Sequence, residues 1–162
     1  MSAPRICTEK ILTRAEAKER LARERRGDKT LALANGCFDI LHVGHVRYLK
    51  AAKGEADILL VAINSDESVR KLKGQGRPVQ PEQDRAEIVA ALGCVDFAVL
   101  FEEDTVAPLI SELKPDVQCK GTDYTALTVP EREAMLKVNG RVAIVGDPKG
   151  HDSSGVLARL RS

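Results

Sequence analysis

Short apolar runs alternate with helical patterns along most of this chain, and this alternation constrains the fold more than any other feature of the sequence. Five runs read as buried strands, residues 31–34, 57–63, 95–100, 116–119 and 141–145. The segments between them have helical character, as expected for right-handed crossovers between parallel strands. The sequence therefore predicts an α/β fold, a doubly wound parallel sheet of about five strands with helices on both faces.

The length of 162 residues fits a single compact domain with its own core. Residues 13–26 are rich in Ala, Glu, Arg and Lys, and Thr13 and Glu16 have the spacing of a capping box at a helix start. We expect residues 1–29 to form an N-terminal helical extension with a narrow apolar stripe, lying on the sheet or in a subunit contact. Residues 30–162 then form the main domain.

Charge and cysteine usage exclude several classes of function. The formal net charge is +1, which argues against a general nucleic-acid surface or a membrane-seeking face. No hydrophobic leader and no apolar run of membrane-spanning length occurs, so a cytoplasmic location is predicted. The cysteines are far apart and lack zinc or CxxC spacing, so we expect reduced, packed thiols at Cys7, Cys37, Cys94 and Cys119.

Residues 35–45, NGCFDILHVGH, follow the first predicted strand and contain two histidines three residues apart. If a helix begins at Val43 or Gly44, the side chains of His42 and His45 lie near its positive N-terminus, where phosphates bind well. We expect Gly44 to let an anion approach the backbone and the first-turn N–H groups to act as donors beside the two rings. This turn is therefore the first candidate for a phosphate site.

Other polar turns also follow predicted strands: Ser65 and Asp66, residues 120–124, and Ser153 with Ser154. The carboxyl ends of parallel strands meet at one edge of a sheet, so these turns are expected to gather with His42 and His45 around the topological switch point. Capping of a helix is an alternative role for Ser65 and Asp66.

Two charged segments allow both a functional and a structural interpretation. The glycine-punctuated loop 71–78 carries Lys71, Lys73 and Arg77 and predicts a mobile phosphate clamp. Arg85, on a helix expected at residues 81–92, reaches a phosphate or pairs with Glu82. The three carboxylates at 102–104 are expected to stabilise a helix start through the macrodipole rather than to bind a metal.

Known catalytic motifs leave few possibilities for this edge of the sheet. The chain lacks both GxxxxGK[ST] and GxGxxG. Cys37 is expected to pack rather than to attack a substrate, and HxGH without a third nearby ligand fits zinc poorly. A reaction without a protein nucleophile remains, in which one phosphate attacks another while the site offsets the developing charge. Nucleotidyl transfer, with Mg²⁺ on the triphosphate, is such a reaction.

The 35–45 segment resembles the HxGH signature of the cytidylyltransferase-like nucleotidyltransferases, and its NGCFD beginning is similar to that of bacterial ADP-heptose synthases. The resemblance extends from about residue 10 to 162. It includes the segments 62–66, 72–74 with 77–78, Arg85, 95–96, 101–105, 114–116 and 120–124. This combination resembles the D-glycero-β-D-manno-heptose 1-phosphate adenylyltransferases. It implies a Rossmann-like fold and a standalone adenylyltransferase.

The resemblance implies transfer of AMP from ATP to heptose 1-phosphate, giving ADP-heptose and pyrophosphate for lipopolysaccharide or another surface glycan. A separate heptose kinase would supply the substrate, and a homodimer is possible by analogy. The motifs and the resemblance together assign catalysis to His42, His45, Lys73 and Arg85, nucleotide binding to Gly36, Cys37, Phe38, Asp39, Gly44, Gly121, Asp123, Ser153 and Ser154, and substrate binding to Asn35, Asp66 and Arg77. No residue is assigned to a metal.

Two departures from the family pattern bear on activity. Thr122 stands where a second glycine is common, and Asp152 replaces the first residue of a Ser-Thr-Thr type run, next to the expected phosphate site. His151 is expected to be an exposed loop residue. Two alternatives stay open: a cytidylyltransferase acting on glycerol phosphate or a related alcohol phosphate, and a non-catalytic nucleotide-binding module that has kept the fold.

Overall fold

The fold was analysed in a computed structural model that describes residues 7–148 and 150–162. One parallel sheet of six strands forms its centre. The strands are β1 (Ile11–Leu12), β2 (Leu31–Gly36), β3 (Ile58–Asn64), β4 (Phe97–Phe101), β5 (Val117–Lys120) and β6 (Arg141–Ile144). The helices are α1 (Arg14–Glu24), α2 (Val43–Lys53), α3 (Asp66–Lys73), α4 (Glu82–Ala90), α5 (Ala107–Leu113), α6 (Arg132–Lys137) and α7 (Ser153–Arg161). A short 3₁₀ helix, Cys7–Lys10, precedes β1.

Helices cover both faces of the sheet, as the sequence predicts. One apolar core joins α2 and α4 to the sheet through residues such as Leu49 and Val89. The opposite core joins α1, α5 and α6 to the other face through Leu21, Ile110 and Met135. β3 is buried along its whole length, which explains why its sequence is a continuous apolar run rather than an alternating one.

The sixth strand is the two-residue β1, which pairs in parallel with β4 through Ile11 and Leu12. The five predicted strands correspond to β2 to β6, with ends that differ by one or two residues. β1 was missed because two residues are too few to show a strand period. Residues 11–24 are thus part of the sheet and its core, since Ala17 and Leu21 of α1 are buried against it.

The N-terminus of α1 has the predicted capping box. Thr13 Oγ1 accepts the N–H of Glu16, and Glu16 Oε2 accepts the N–H of Thr13 at 2.7 Å. The acidic segment 102–104, in contrast, does not begin a helix, because α5 starts only at Ala107. Glu103 instead forms an ion pair with Arg14 of α1. The macrodipole interpretation of these carboxylates was therefore wrong, and Glu103 serves to attach α1 to the sheet.

Strand order places a crevice beside β2. The sheet runs β1-β4-β3-β2-β5-β6, so the chain leaves β2 toward β3 on one side and returns to β5 on the other. Ligands of open α/β sheets bind at such a switch point, outside the carboxyl ends of the strands. None of the helices in the described ranges is both long and apolar enough to cross a membrane.

Candidate active site

A cleft of about 510 Å³ opens at this switch point, within the size range of small-molecule sites. Its lining includes Asn35, Gly36, Cys37, Phe38, His42, Gly44, His45, Tyr48, Lys73, Asp104, Lys120, Gly121, Asp123, Tyr124, Glu131, Asp147, His151, Asp152 and Ser153. Two groups of residues line or support it. We call residues 36–45 the histidine wall, and Gln118, Lys120 and Glu131 together the β5 wall. The four predicted turns contribute unequally to the cleft.

His42 and His45 are held by hydrogen bonds within their own turn. His42 is the N-cap of α2, and its Nδ1 accepts the N–H of Gly44 at 3.1 Å. The Nδ1 of His45 accepts the N–H of His42 at 3.3 Å. The two rings stack with their centroids 3.9 Å apart. Since each Nδ1 is an acceptor, the neutral rings carry their proton on Nε2, which remains as a donor for a ligand.

Both histidines are held in the neutral form. The pKa of His45 is lowered to about 4, first by burial and then by the nearby His42 and Lys73. The pKa of His42 is also lowered, mainly by burial and secondly by His151. At neutral pH the turn therefore offers two uncharged N–H donors, which an arriving polyphosphate would polarise.

The structure gives a reason for glycine at position 44 that differs from the predicted approach of an anion to the backbone. A Cβ atom at this position would lie 2.9 Å from Cε1 of His42, which is too close for a non-bonded contact. The N–H of Gly44 is itself taken by the His42 ring. Glycine is therefore required so that the ring can fold over the helix start, and the histidine side chains present donors to the cleft.

Asp39, itself part of the histidine wall, attaches this wall to the loop before α4. Its buried carboxylate accepts the N–H groups of Val79 and Gln80 at 2.9 and 3.1 Å and Nε of Arg77 at 2.8 Å. Burial alone would raise the pKa of Asp39, but these donors outweigh it and lower the pKa. Its neighbours Phe38 and Ile40 have left-handed φ values of 50° and 53°, which the surrounding bonds must hold in place.

Asp39 and Arg77 are thus absent from the cleft lining, and each binds the other. Neither side chain reaches the cleft, where contacts with nucleotide and substrate were predicted; the pair fixes the loop before α4 against the histidine turn. The predicted phosphate clamp also has fewer basic residues at the cleft than expected, because Lys71 forms an ion pair with Glu67 on α3. Of the three basic residues in that loop, Lys73 alone lines the cleft, from the last position of α3.

Arg85 also departs from its predicted role. Its side chain is 0% exposed, and its donors bind the carbonyl groups of Gln80, Cys37 and Asn64 and the carboxylate of Asp66. It does not pair with Glu82. With its donors occupied away from the cleft, Arg85 is a positioning residue that ties the carboxyl end of β3 to the turn after β2.

The predicted turn of Ser65 and Asp66 also makes its contacts within the protein. Ser65 Oγ caps α3 by accepting the N–H of Ser68 at 3.2 Å. Asp66 binds Arg85 through its side chain, and its own N–H donates to Glu82. Neither Ser65 nor Asp66 lines the cleft, so the capping alternative describes Ser65, and Asp66 is a partner of Arg85 rather than a substrate ligand.

The two predicted serines at the start of α7 lie in different surroundings. Ser153 lines the cleft, but its buried hydroxyl donates to the carbonyl of Asp39. Ser154 is exposed and outside the lining. Asp152 is the N-cap of α7 and accepts the N–H of Gly155 at 2.6 Å, so a carboxylate occupies the end of the helix where a phosphate was expected. His151 is exposed at the cleft, its ring 6.4 Å from that of His42.

The β5 wall joins Lys120, from the predicted 120–124 turn, to two residues that the sequence interpretation passed over, Gln118 and Glu131. Lys120 and Glu131 are only 7% and 5% exposed, and both line the cleft near the predicted Gly121 and Asp123. Gln118 lies between them and Asn35 and is fully buried. A signal was present, because Gln118 and Lys120 alternate with Val117 and Cys119 in a strand that is buried throughout. Polar side chains in such a strand need partners or a ligand.

The cleft lining includes potential metal ligands and the thiol of Cys37. Among residues 7–148 and 150–162, no three potential ligand side chains are grouped as a metal site requires. Burial raises the pKa of the Cys37 thiol and keeps it protonated, in spite of the nearby Lys73 and Arg85. Cys119 is buried and Cys94 is half-buried, both as free thiols, as expected of packed cysteines.

Comparison with known proteins agrees with this geometry. Residues 33–151 match the cytidylyltransferase-like family. The chain is 44% identical over 151 residues to the bifunctional protein HldE of Syntrophotalea carbinolica and 48% identical over 139 residues to that of Geotalea uraniireducens. These matches cover 93% and 86% of this chain but only 31% and 28% of the relatives, so the chain spans about a third of their length.

Solved structures show the same fold. A lipopolysaccharide core biosynthesis protein from Thermoplasma volcanium superposes with a TM-score of 0.63 and 30% identity, over 75% of this chain and 99% of the other. Pantoate-beta-alanine ligase from Francisella tularensis superposes with a TM-score of 0.59 over 90% of this chain and 69% of the other. The second pair is only 18% identical, so its likeness concerns the fold alone.

Proposed function

Because the chain belongs to the cytidylyltransferase-like family and is a nucleotidyltransferase, we propose that it transfers AMP from ATP to D-glycero-β-D-manno-heptose 1-phosphate. The observation that carries the proposal is the locked pair His42 and His45, whose Nδ1 atoms accept backbone N–H groups and whose Nε2–H groups are left for a ligand. The heptose substrate follows from the resemblance of the NGCFD and 120–124 segments to ADP-heptose synthases.

In the proposed reaction, an oxygen of the sugar phosphate attacks the α-phosphorus of ATP. The new P–O bond forms as the bond to the β-phosphate oxygen breaks, and pyrophosphate leaves with the electron pair. His42 and His45 donate hydrogen bonds to oxygens on which negative charge grows, and Lys73 adds a positive charge from the end of α3. Because the protein provides no nucleophile, its contribution is placement and charge stabilisation.

Mg²⁺ is the expected cofactor, and the donor set of the cleft bears on how it would be held. The described residues form no group of three potential ligand side chains, so the oxygens of the triphosphate would be the main ligands of the ion. When bound, the ion would neutralise charge on the departing pyrophosphate.

The product assay tests the proposal directly. The protein is incubated with ATP, Mg²⁺ and D-glycero-β-D-manno-heptose 1-phosphate, and pyrophosphate release and ADP-heptose are measured, with CTP, GTP and UTP in parallel. We expect release with ATP and none with the sugar phosphate omitted. Release with CTP and glycerol phosphate instead would support the cytidylyltransferase alternative. Failure to transfer with any nucleotide would reject the proposal and favour a binding module.

A kinase activity must supply the sugar 1-phosphate, because the proposed reaction begins with the anomeric phosphate already in place. The relatives HldE are named as bifunctional, and this chain matches about a third of their length. We propose that sugar phosphorylation occurs at a site outside the domain described above. A homodimer stays a proposal, which sedimentation analysis would test.

A further inference from the structure

The β5 wall holds a buried polar cluster for which the proposed transfer step has no use. Nε2 of Gln118 donates to Oδ1 of Asn35 at 3.3 Å and to Oε2 of Glu131 at 3.2 Å. Nζ of Lys120 lies 3.9 Å from the same Oε2 atom and 4.6 Å from the centre of the Tyr124 ring. Asn35, Lys120, Tyr124 and Glu131 all line the cleft.

This cluster is incompletely satisfied by the protein. At 3.9 Å the Lys120 ammonium is beyond hydrogen-bond distance of Glu131, and the described residues offer it no hydrogen-bond acceptor. Oε1 of Gln118 is buried and has no hydrogen-bond partner among the same residues. Buried ammonium and amide groups without hydrogen-bond partners are costly in a folded protein. Because Lys120 is more than nine-tenths buried and still lines the cleft, a ligand is the natural source of its acceptor.

The charges of the cluster indicate what kind of ligand group fits. Lys120 and Glu131 carry opposite charges, so the β5 wall is close to neutral as a whole. A phosphate placed here would lie against the Glu131 carboxylate and be repelled by it. A hydroxyl group, in contrast, donates to a carboxylate and accepts from an ammonium at the same time. Two adjacent hydroxyls would use Glu131, Lys120 and the amide of Asn35 together.

We propose that Glu131, Lys120 and Asn35 form a subsite that binds adjacent hydroxyl groups of a sugar ring, with Tyr124 beside it. This inference rests on the proposed function, which brings two sugars into the cleft: the ribose of the nucleotide and the ring of the sugar phosphate. Gln118 is a positioning residue, because it holds Glu131 and Asn35 through one amide group. The subsite thus determines which sugar-bearing ligand the protein accepts.

Binding measurements test the subsite without requiring turnover. Isothermal titration gives the affinities of the full chain for ATP and, separately, for D-glycero-β-D-manno-heptose 1-phosphate. In Glu131→Gln we expect one ligand, the one whose hydroxyls occupy the subsite, to bind about 10- to 100-fold more weakly, as for loss of a hydrogen bond to a charged group. The other ligand should change by less than about twofold. Glu133→Gln is the matched control, since Glu133 is exposed on α6 outside the cleft.

Modified ligands give a second measurement that leaves the protein unchanged. If the ribose occupies the subsite, 2′-deoxy-ATP or 3′-deoxy-ATP should bind the unmodified protein about 10-fold more weakly than ATP. The same loss should shrink to less than about twofold in Glu131→Gln, because the partner of the hydroxyl is already gone. If the sugar phosphate occupies it, a deoxy analogue of that sugar should show this pattern and the deoxy-ATP compounds should not.

Each result decides the proposal. Equal affinities of both ligands for Glu131→Gln and Glu133→Gln would overturn it, and so would full additivity of the protein and ligand changes for both sugars. Absence of binding of both ligands to the unmodified chain would overturn it as well. Transfer of AMP is scored separately: coupling between Glu131 and a hydroxyl without any transfer would reject the proposed function alone. Transfer without coupling would reject the subsite alone.

Discussion

The two walls of the cleft reach their shapes in different ways. The histidine wall is one continuous segment whose donors are fixed by bonds within the turn, and its own Asp39 binds the loop before α4. The β5 wall is assembled from β5 and the residue before α6, and its contacts of 3.2 to 3.9 Å leave Lys120 without a hydrogen bond in the part of the chain that is described. The donors of the histidine wall are held in place without a ligand, whereas the β5 wall has buried polar groups that lack a hydrogen-bond partner among the described residues and would gain one from a ligand.

The largest expected effect comes from removing the support of the histidine wall. Arg85→Met keeps much of the apolar stem but leaves the Asp66 carboxylate and the carbonyls of Cys37 and Asn64 without their donor. We expect the free energy of unfolding to fall by about 3 to 5 kcal/mol, the cost of breaking a buried charge pair. Urea denaturation measures it.

Arg70→Met is the control for this change, because Arg70 is an exposed arginine on α3. Its effect should stay within about 0.5 kcal/mol. Equal effects of the two substitutions would show that the guanidinium of Arg85 is not a structural tie, and the histidine wall would then be held by its own turn alone.

Removing a donor from the histidine wall should affect catalysis and leave the fold intact. In His45→Ala we expect turnover to fall by about 100-fold or more, as for loss of one transition-state donor. Steady-state pyrophosphate release measures it, and circular dichroism confirms folding. His151→Ala, which removes an exposed histidine of the same cleft, should change turnover by less than about threefold. A similar loss in both would mean that the stacked pair has no special role.

Acidification should destabilise the histidine wall through His45. Its pKa is about 4 when folded, mainly because of burial, against about 6.5 when unfolded, so the unfolded chain binds the proton more tightly. The stability that the neutral ring contributes is present above pH 6.5 and is lost as pH falls toward 4. We expect a loss of about 2 kcal/mol across this window, visible as the difference in urea denaturation between the unmodified protein and His45→Gln. Parallel stability curves for the two proteins would contradict the lowered pKa.

The smallest expected effect is a change in the KM for ATP when the negative charge of Asp152, at the N-terminus of α7, is removed. Asp152→Ser keeps an N-cap hydroxyl and removes a carboxylate from the cleft lining beside His151. The KM for ATP should fall by about twofold to fivefold at low salt, and the difference should shrink at high salt. Asp84→Ser, at an exposed position of α4, serves as control. A KM that rises instead, and recovers with added Mg²⁺, would show that Asp152 holds the metal.

Sequence patterns predicted those features whose cause is local. The capping box at Thr13, the helix start at Val43 and the apolar run of β3 each follow from neighbouring residues. The partners of Arg85 and Arg77 are distant in sequence, so both arginines were expected at phosphates although they bind Asp66 and Asp39. Gln118 and Glu131 of the β5 wall were missed for the same reason, since Glu131 meets Gln118 only when α6 packs against the sheet.

The two-residue strand β1 has a consequence for how this protein behaves in solution. β4 would otherwise be an edge strand, and four of its five residues, Phe97, Ala98, Val99 and Phe101, belong to the two apolar cores. An uncovered edge of this kind is a template for pairing with another chain. Ile11 and Leu12 therefore act as a guard against aggregation, and a chain shortened past Leu12 would be expected to self-associate before it loses the architecture of its cleft.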